Sequence, residues 1–94
     1  MYVLEVTVQN QVGLHARPAT FFIQKANTYK STAWVEKGDR RVNAKSLLGV
    51  LSLGVAQGMT IRLIAEGSDE VEALDGLEQL LNNLEAMLEH GFAE

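Results

Sequence analysis

Ala33-Trp34-Val35-Glu36-Lys37-Gly38-Asp39-Arg40-Arg41-Val42-Asn43 is the stretch that decides the fold. Two runs rich in β-forming residues flank the pair Gly38-Asp39, and a two-residue loop of that kind joins strands as a tight hairpin. Consecutive strands are therefore antiparallel here, and the rest of the chain must be arranged around that pair.

Upstream, Val3-Leu4-Glu5-Val6-Thr7-Val8 alternates and predicts a first strand from Tyr2 to Val8, with Leu4, Val6 and Val8 on one face. Asn10-Gln11-Val12-Gly13 reads as a turn. A helix follows from about Ala16, because Pro18 suits a first turn and Ala19, Phe22, Ile23 and Ala26 recur at the spacing of a buried stripe. Asn27 and the polar residues 28–32 end it.

Downstream of the hairpin, Lys45-Ser46-Leu47-Leu48-Gly49-Val50-Leu51-Ser52-Leu53 is too apolar for a surface loop. Ser46 is a good N-cap, so a short helix is expected. Val50 and Leu53 are expected inward, and Leu47, Leu48 and Leu51 at least partly outward. Thr60 to Ala65 reads as the fourth strand. Asp69 with Glu72 resembles a capping box, and Val71, Leu74, Leu77, Leu81, Leu84 and Leu88 continue at helical spacing toward a C-cap at Gly91, with His90 in the last turn. Gly76 stands inside that helix without a local reason, at a cost of about 1 kcal/mol relative to alanine. The order β-α-β-β-α-β-α predicts an α+β fold, an open-faced two-layer β-sandwich with the helices on one sheet face.

The 94 residues suit a single domain, 1–94, with one modest core. There is no cysteine and there are only two histidines, His15 and His90, so neither disulfides nor a metal site is expected, and no cofactor is implied. No apolar run reaches the ~18 residues of a membrane span and no signal-peptide pattern opens the chain, which leads to the expectation of a cytoplasmic protein without membrane insertion. The net charge of -4 is divided unevenly: residues 1–47 carry +4 and residues 48–94 carry -8. This asymmetry argues against broad nucleic-acid binding and is compatible with an acidic protein partner on the first half or simply with a solvated acidic C-terminal helix.

The stretch that carries chemistry is Gly13-Leu14-His15-Ala16-Arg17-Pro18-Ala19. Imidazole is a nucleophile near neutral pH, a helix start is an anion site, and arginine pairs well with phosphate. The N–H groups of Ala16 and Arg17 lie where phosphate oxygens can be held, the Arg17 guanidinium can neutralise a transferring phosphoryl, and the small Ala16 leaves the ring accessible. No second acid or base accompanies His15, so a self-sufficient enzyme is not expected.

This motif resembles the active site of the HPr family, the histidine phosphocarriers of the bacterial phosphoenolpyruvate-dependent sugar phosphotransferase system. The hairpin, Asn43-Ala44-Lys45-Ser46-Leu47-Leu48-Gly49 and Ser52-Leu53-Gly54-Val55 are also similar to that family, and the resemblance runs from about residue 2 to about residue 81. It implies a four-stranded antiparallel sheet in the order 1-4-2-3, with residues 82–94 as an extension of the last helix or a tail. It further implies that His15 takes a phosphoryl group on Nδ1 from enzyme I and passes it to sugar-specific enzyme IIA domains. Thr20, Leu47, Leu48 and Leu51 would form the docking patch around it.

The Ser46 region resembles the regulatory serine of the low-GC Gram-positive type, phosphorylated by HPr kinase/phosphorylase, the product acting with the catabolite control protein CcpA. A phosphate at that helix start is tolerated by the fold and changes docking through about two added negative charges. Two alternatives belong to the same resemblance. One is a Crh-like regulatory module, although Crh carries glutamine where this chain has His15. The other is a specialised paralogue serving nitrogen signalling or dihydroxyacetone phosphorylation.

Overall fold

The computed structural model describes residues 1–86. Its elements are β1 (Tyr2–Thr7), α1 (Ala16–Ala26), β2 (Thr32–Lys37), β3 (Arg40–Asn43), α2 (Leu47–Ser52), β4 (Thr60–Glu66) and α3 (Glu70–Asn82). The four strands form one antiparallel sheet in the order β1-β4-β2-β3. The fold is thus the α+β arrangement expected, with the helices packed on one sheet face.

The hairpin turns at Gly38-Asp39, with Lys37 opposite Arg40. Gly38 has φ of 61°, a left-handed value that a hairpin's first central position demands and that glycine adopts without strain. Alternation then sorts the faces. Val6, Ala33, Val35, Ile61, Leu63 and Ala65 point into the core, where they meet Phe22, Ala26, Val50, Leu74, Leu77 and Leu81 from the helices.

Helix α1 buries Pro18, Ala19, Phe21, Phe22 and Ala26, with Ile23 half-buried. Pro18 falls in the first turn, where no helical partner exists for the N–H it lacks. Helix α2 is short and capped as expected: the Gly49 N–H donates to Ser46 Oγ at 3.1 Å. Its carbonyl end is held from the hairpin, where Lys37 Nζ donates to Leu53 O at 2.7 Å and an Arg40 guanidinium nitrogen donates to Ser52 O at 2.8 Å.

Helix α3 differs from expectation in three respects. Asp69 is its N-cap residue but makes no capping bond. Its carboxylate instead accepts the Lys30 and Ser31 backbone N–H groups, each at 2.9 Å, and the Ser31 hydroxyl. Those bonds, the Ser31 hydroxyl foremost and then the Lys30 N–H, hold the carboxyl down at about 2. Glu70 serves the helix start, accepting the Gly67 N–H at 3.1 Å, so no Asp69–Glu72 capping box forms. Second, Val71 is 45% exposed and stands off the buried stripe, which Ala73 joins in its place. Third, α3 closes at Asn82, with the Asn83 N–H bonded to Leu80 O. Leu84 is nonetheless fully buried. His90 and the expected C-cap Gly91 lie outside the described residues.

Gly76 now has a cause. A Cβ there would run into the Tyr29 hydroxyl and come within 3.0 Å of the Tyr29 ring carbon bearing it. The glycine makes the notch in α3 that Tyr29 fills, beside the Lys25 ammonium 5.7 Å from its ring centre.

Candidate functional site

The connection from β1 to α1 is pinned before it releases His15. Val8 and Gly58 extend the β1/β4 ladder, the Val8 N–H bonding Met59 O and the Gly58 N–H bonding Val8 O. Asn10 is buried and its side-chain amide donates to Gly13 O at 3.0 Å. Gly13 takes φ of 62° and lies flat against residues 55 and 56. A Cβ would clash with Val55 O and sit 2.8 Å from the Ala56 Cα, so no other residue fits. Leu14 is fully buried and its N–H donates to Val55 O at 3.0 Å.

Two anchored residues therefore precede His15, and the chain emerges from them already aimed. His15 is the N-cap residue of α1, in extended conformation, and its side chain makes no capping bond. The first helical hydrogen bond runs from the Ala19 N–H to His15 O at 2.7 Å. The N–H groups of Ala16 and Arg17 lie ahead of it, at the positive end of the helix.

Val12, His15, Ala16, Arg17 and Pro18 line an open hollow of about 450 Å³. His15, Ala16 and Arg17 are all solvent-exposed. An exposed imidazole, a guanidinium and a helix start sharing one open hollow make a site that can take an anion from, and return it to, another macromolecule.

Thr20 is half-buried and its hydroxyl donates to Ala16 O at 2.9 Å. Ser46 does not line the hollow. It sits at the start of α2, which packs against α1. The leucines divide as expected: Val50 and Leu53 are buried, Leu47 and Leu51 half-buried, and Leu48 is 80% exposed. Two participants were not singled out from the sequence. Val12, 42% exposed, supplies an apolar wall of the hollow, its one signal being an apolar residue inside a polar turn. The Lys37 and Arg40 hold on α2 is a contact between distant segments and left no local signature.

Comparison with known proteins accords with this geometry. A family model described as "PTS HPr component phosphorylation site" matches residues 3–83. The chain is 48% identical over 73 residues to an "HPr-like protein Crh" of Halalkalibacterium halodurans, covering 78% of this chain and 87% of that protein. It is 44% identical over 77 residues to a "Phosphocarrier protein HPr" of Neisseria meningitidis, covering 82% and 86% respectively. Among solved structures, the crystal structure of HPr-C-His from Thermoanaerobacter tengcongensis superposes with a TM-score of 0.86 at 47% identity, covering 88% of this chain and 93% of that one. The fold and the family match define a phosphotransfer component. The chain belongs to the HPr family, the phosphocarrier components of the phosphotransferase system.

Proposed function

We propose that this chain is a cytoplasmic phosphoryl relay in which His15 accepts a phosphoryl group from phospho-enzyme I and hands it to sugar-specific enzyme IIA domains. The observation that carries this reading is the exposed His15 at the α1 start, its side chain unused for capping and sharing a hollow with Arg17. In each step a bond forms between phosphorus and the acceptor's attacking atom, His15 Nδ1 in the first step, as the bond to the donor's departing atom breaks. The Arg17 guanidinium and the Ala16 and Arg17 amides hold the phosphoryl oxygens as charge redistributes. Thr20, Leu47, Leu48 and Leu51 form the docking patch, an apolar surface of the kind transient partners use.

Ser46 is the proposed point of regulation, through HPr kinase/phosphorylase and CcpA. Its half-buried hydroxyl caps α2, beside the docking leucines. A phosphate there places about two negative charges next to the surface that enzyme I must approach, and acidic partners are repelled. A purely regulatory, Crh-like role is the second reading, favoured by the Crh relatives at similar identity. His15 itself favours the relay, because a regulator needs no nucleophile there.

Incubation with phosphoenolpyruvate and enzyme I separates the two. The relay requires an acid-labile, base-stable phosphate that disappears in His15→Ala. No label, or label that persists in that variant, refutes it. ATP and a cognate kinase should add a separate acid-stable phosphate, lost in Ser46→Ala.

A further inference from the structure

The sheet face turned away from the helices carries two ordered rows. In the register, Glu5 on β1 stands opposite Arg62 on β4, Arg62 opposite Glu36 on β2, and Glu36 opposite Arg41 on β3. Across the four strands the charges read minus, plus, minus, plus. The adjacent row is Val3, Ile64, Trp34 and Asn43 in the same strand order. Ile64 is only 1% exposed and stands apart from the helix-side core, while its neighbour Val3 remains 42% exposed. Arg41 lies 5.9 Å from the centre of the Trp34 ring.

We propose that this face is the interface of a weak two-fold dimer of the chain, formed by stacking two sheets face to face. Glu36 pairs within the sheet with Arg41 at 3.1 Å and with Arg62 at 3.5 Å, and the row that these cross-strand pairs order is complementary to its own reversal. A two-fold axis parallel to the strands and midway between β4 and β2 reverses strand order but keeps each row opposite its own copy. Reversal of minus, plus, minus, plus gives its opposite sign at every position. Glu5 then faces Arg41 of the second copy, and Arg62 faces its Glu36. In the apolar row the same operation puts Trp34 over Ile64 of the second copy.

Stacked sheets lie ~10 Å apart and are turned about 30° by their twist, so the outer strands, roughly 7 Å from the axis, shift by only about 4 Å. Arginine and glutamate side chains span that offset. The acidic α3 packs on the opposite sheet face and is kept away from the other copy. His15 belongs to the helix layer and stays open to partners.

Size sets the strength. Four strands of about six residues give a flat footprint of roughly 400 Å², below the ~800 Å² per partner of a standard interface. The dimer is therefore transient, with Trp34 as its anchor.

Trp34 is the only tryptophan, so its fluorescence reports on this face alone. Sedimentation equilibrium of the full chain up to about 1 mM, the range in which a small interface associates, should show average mass rising with concentration, with a parallel blue shift of Trp34 emission. Glu5→Lys sets like charges opposite each other and should raise the dissociation constant about tenfold or more; Arg41→Glu alone should do the same. Combining Glu5→Lys with Arg41→Glu gives plus, plus, minus, minus, which again inverts on reversal, and association should return. A chain that stays monomeric at the top concentration overturns the proposal. So does a dimer indifferent to Glu5→Lys, or a double variant, folded by circular dichroism, that fails to recover.

Discussion

Tyr29 and Gly76 are one feature written at two positions 47 apart, the aromatic ring filling the space that a side chain would take. Alanine at 76 gains up to about 1 kcal/mol of helix propensity but must push the ring out, and such overpacking costs about 1–3 kcal/mol. Gly76→Ala should therefore lower stability in the wild-type background and raise it in a Tyr29→Ala background. Denaturant unfolding of the four proteins of this cycle measures the sign change; the same sign in both backgrounds would show that the notch is not what selects glycine. At the site, Arg17→Ala should slow phosphoryl uptake from enzyme I on the order of 10²-fold, the usual effect of removing one stabilising group from a developing charge. Arg17→Lys should recover only part of that rate, since a point charge does not reproduce the bidentate fork. Labelling time courses measure both, and an unchanged rate in Arg17→Ala would remove Arg17 from the transfer step.

Between elements, Asp69 ties the α3 start to the segment leading into β2. Its folded carboxyl titrates at about 2, lowered chiefly by the Ser31 hydroxyl and then by the Lys30 N–H, against about 3.9 in an unfolded chain. A lowered carboxyl stabilises the fold above the unfolded value and ceases to do so as pH falls through the folded one. The contribution should therefore be complete above about pH 4 and gone near pH 2. Thermal unfolding of wild type and Asp69→Asn across that range should show a gap at neutral pH that closes on acidification; a gap constant with pH would overturn the assignment. Ser46 and Asp69 show how far elements were legible from sequence. The Ser46 cap closes three residues away on Gly49, and the local pattern was sufficient to find it. Asp69 looks like a cap by the same pattern, yet its partners are 38 and 39 residues distant, and a stronger set of donors takes the carboxylate. Val71 falls off the stripe because α3 is turned by its packing on α1 and the sheet, which no single-helix periodicity contains.

Over the whole molecule, one layer of helices leaves two surfaces: a bare sheet on one side and the α1–α2 end on the other. The hairpin was enough to impose antiparallel order, and apolar alternation was enough to assign faces, so the architecture could be read from the sequence. The close seating of Gly13 on residues 55 and 56, which aims His15, could not, because it depends on backbone meeting backbone across the fold. Leu48 gives the sharpest test of the helix-side surface. It is 80% exposed, so it contributes little to the core, and truncating a residue of that kind alters stability by no more than about 0.5 kcal/mol. Its neighbour Val50, fully buried on the same helix, is the contrasting case: Val50→Ala should destabilise the protein measurably through a core cavity. If α2 presents Leu48 to partners, Leu48→Ala should raise the KM of enzyme I for this chain about tenfold or more, since burying a leucine side chain is worth about 1.5–3 kcal/mol, while the maximal rate and the melting temperature stay near wild type. Steady-state phosphotransfer together with a melting curve reads all three quantities. A Leu48→Ala variant with unchanged KM would place the docking surface elsewhere on the helix layer and leave the exposed leucine unexplained.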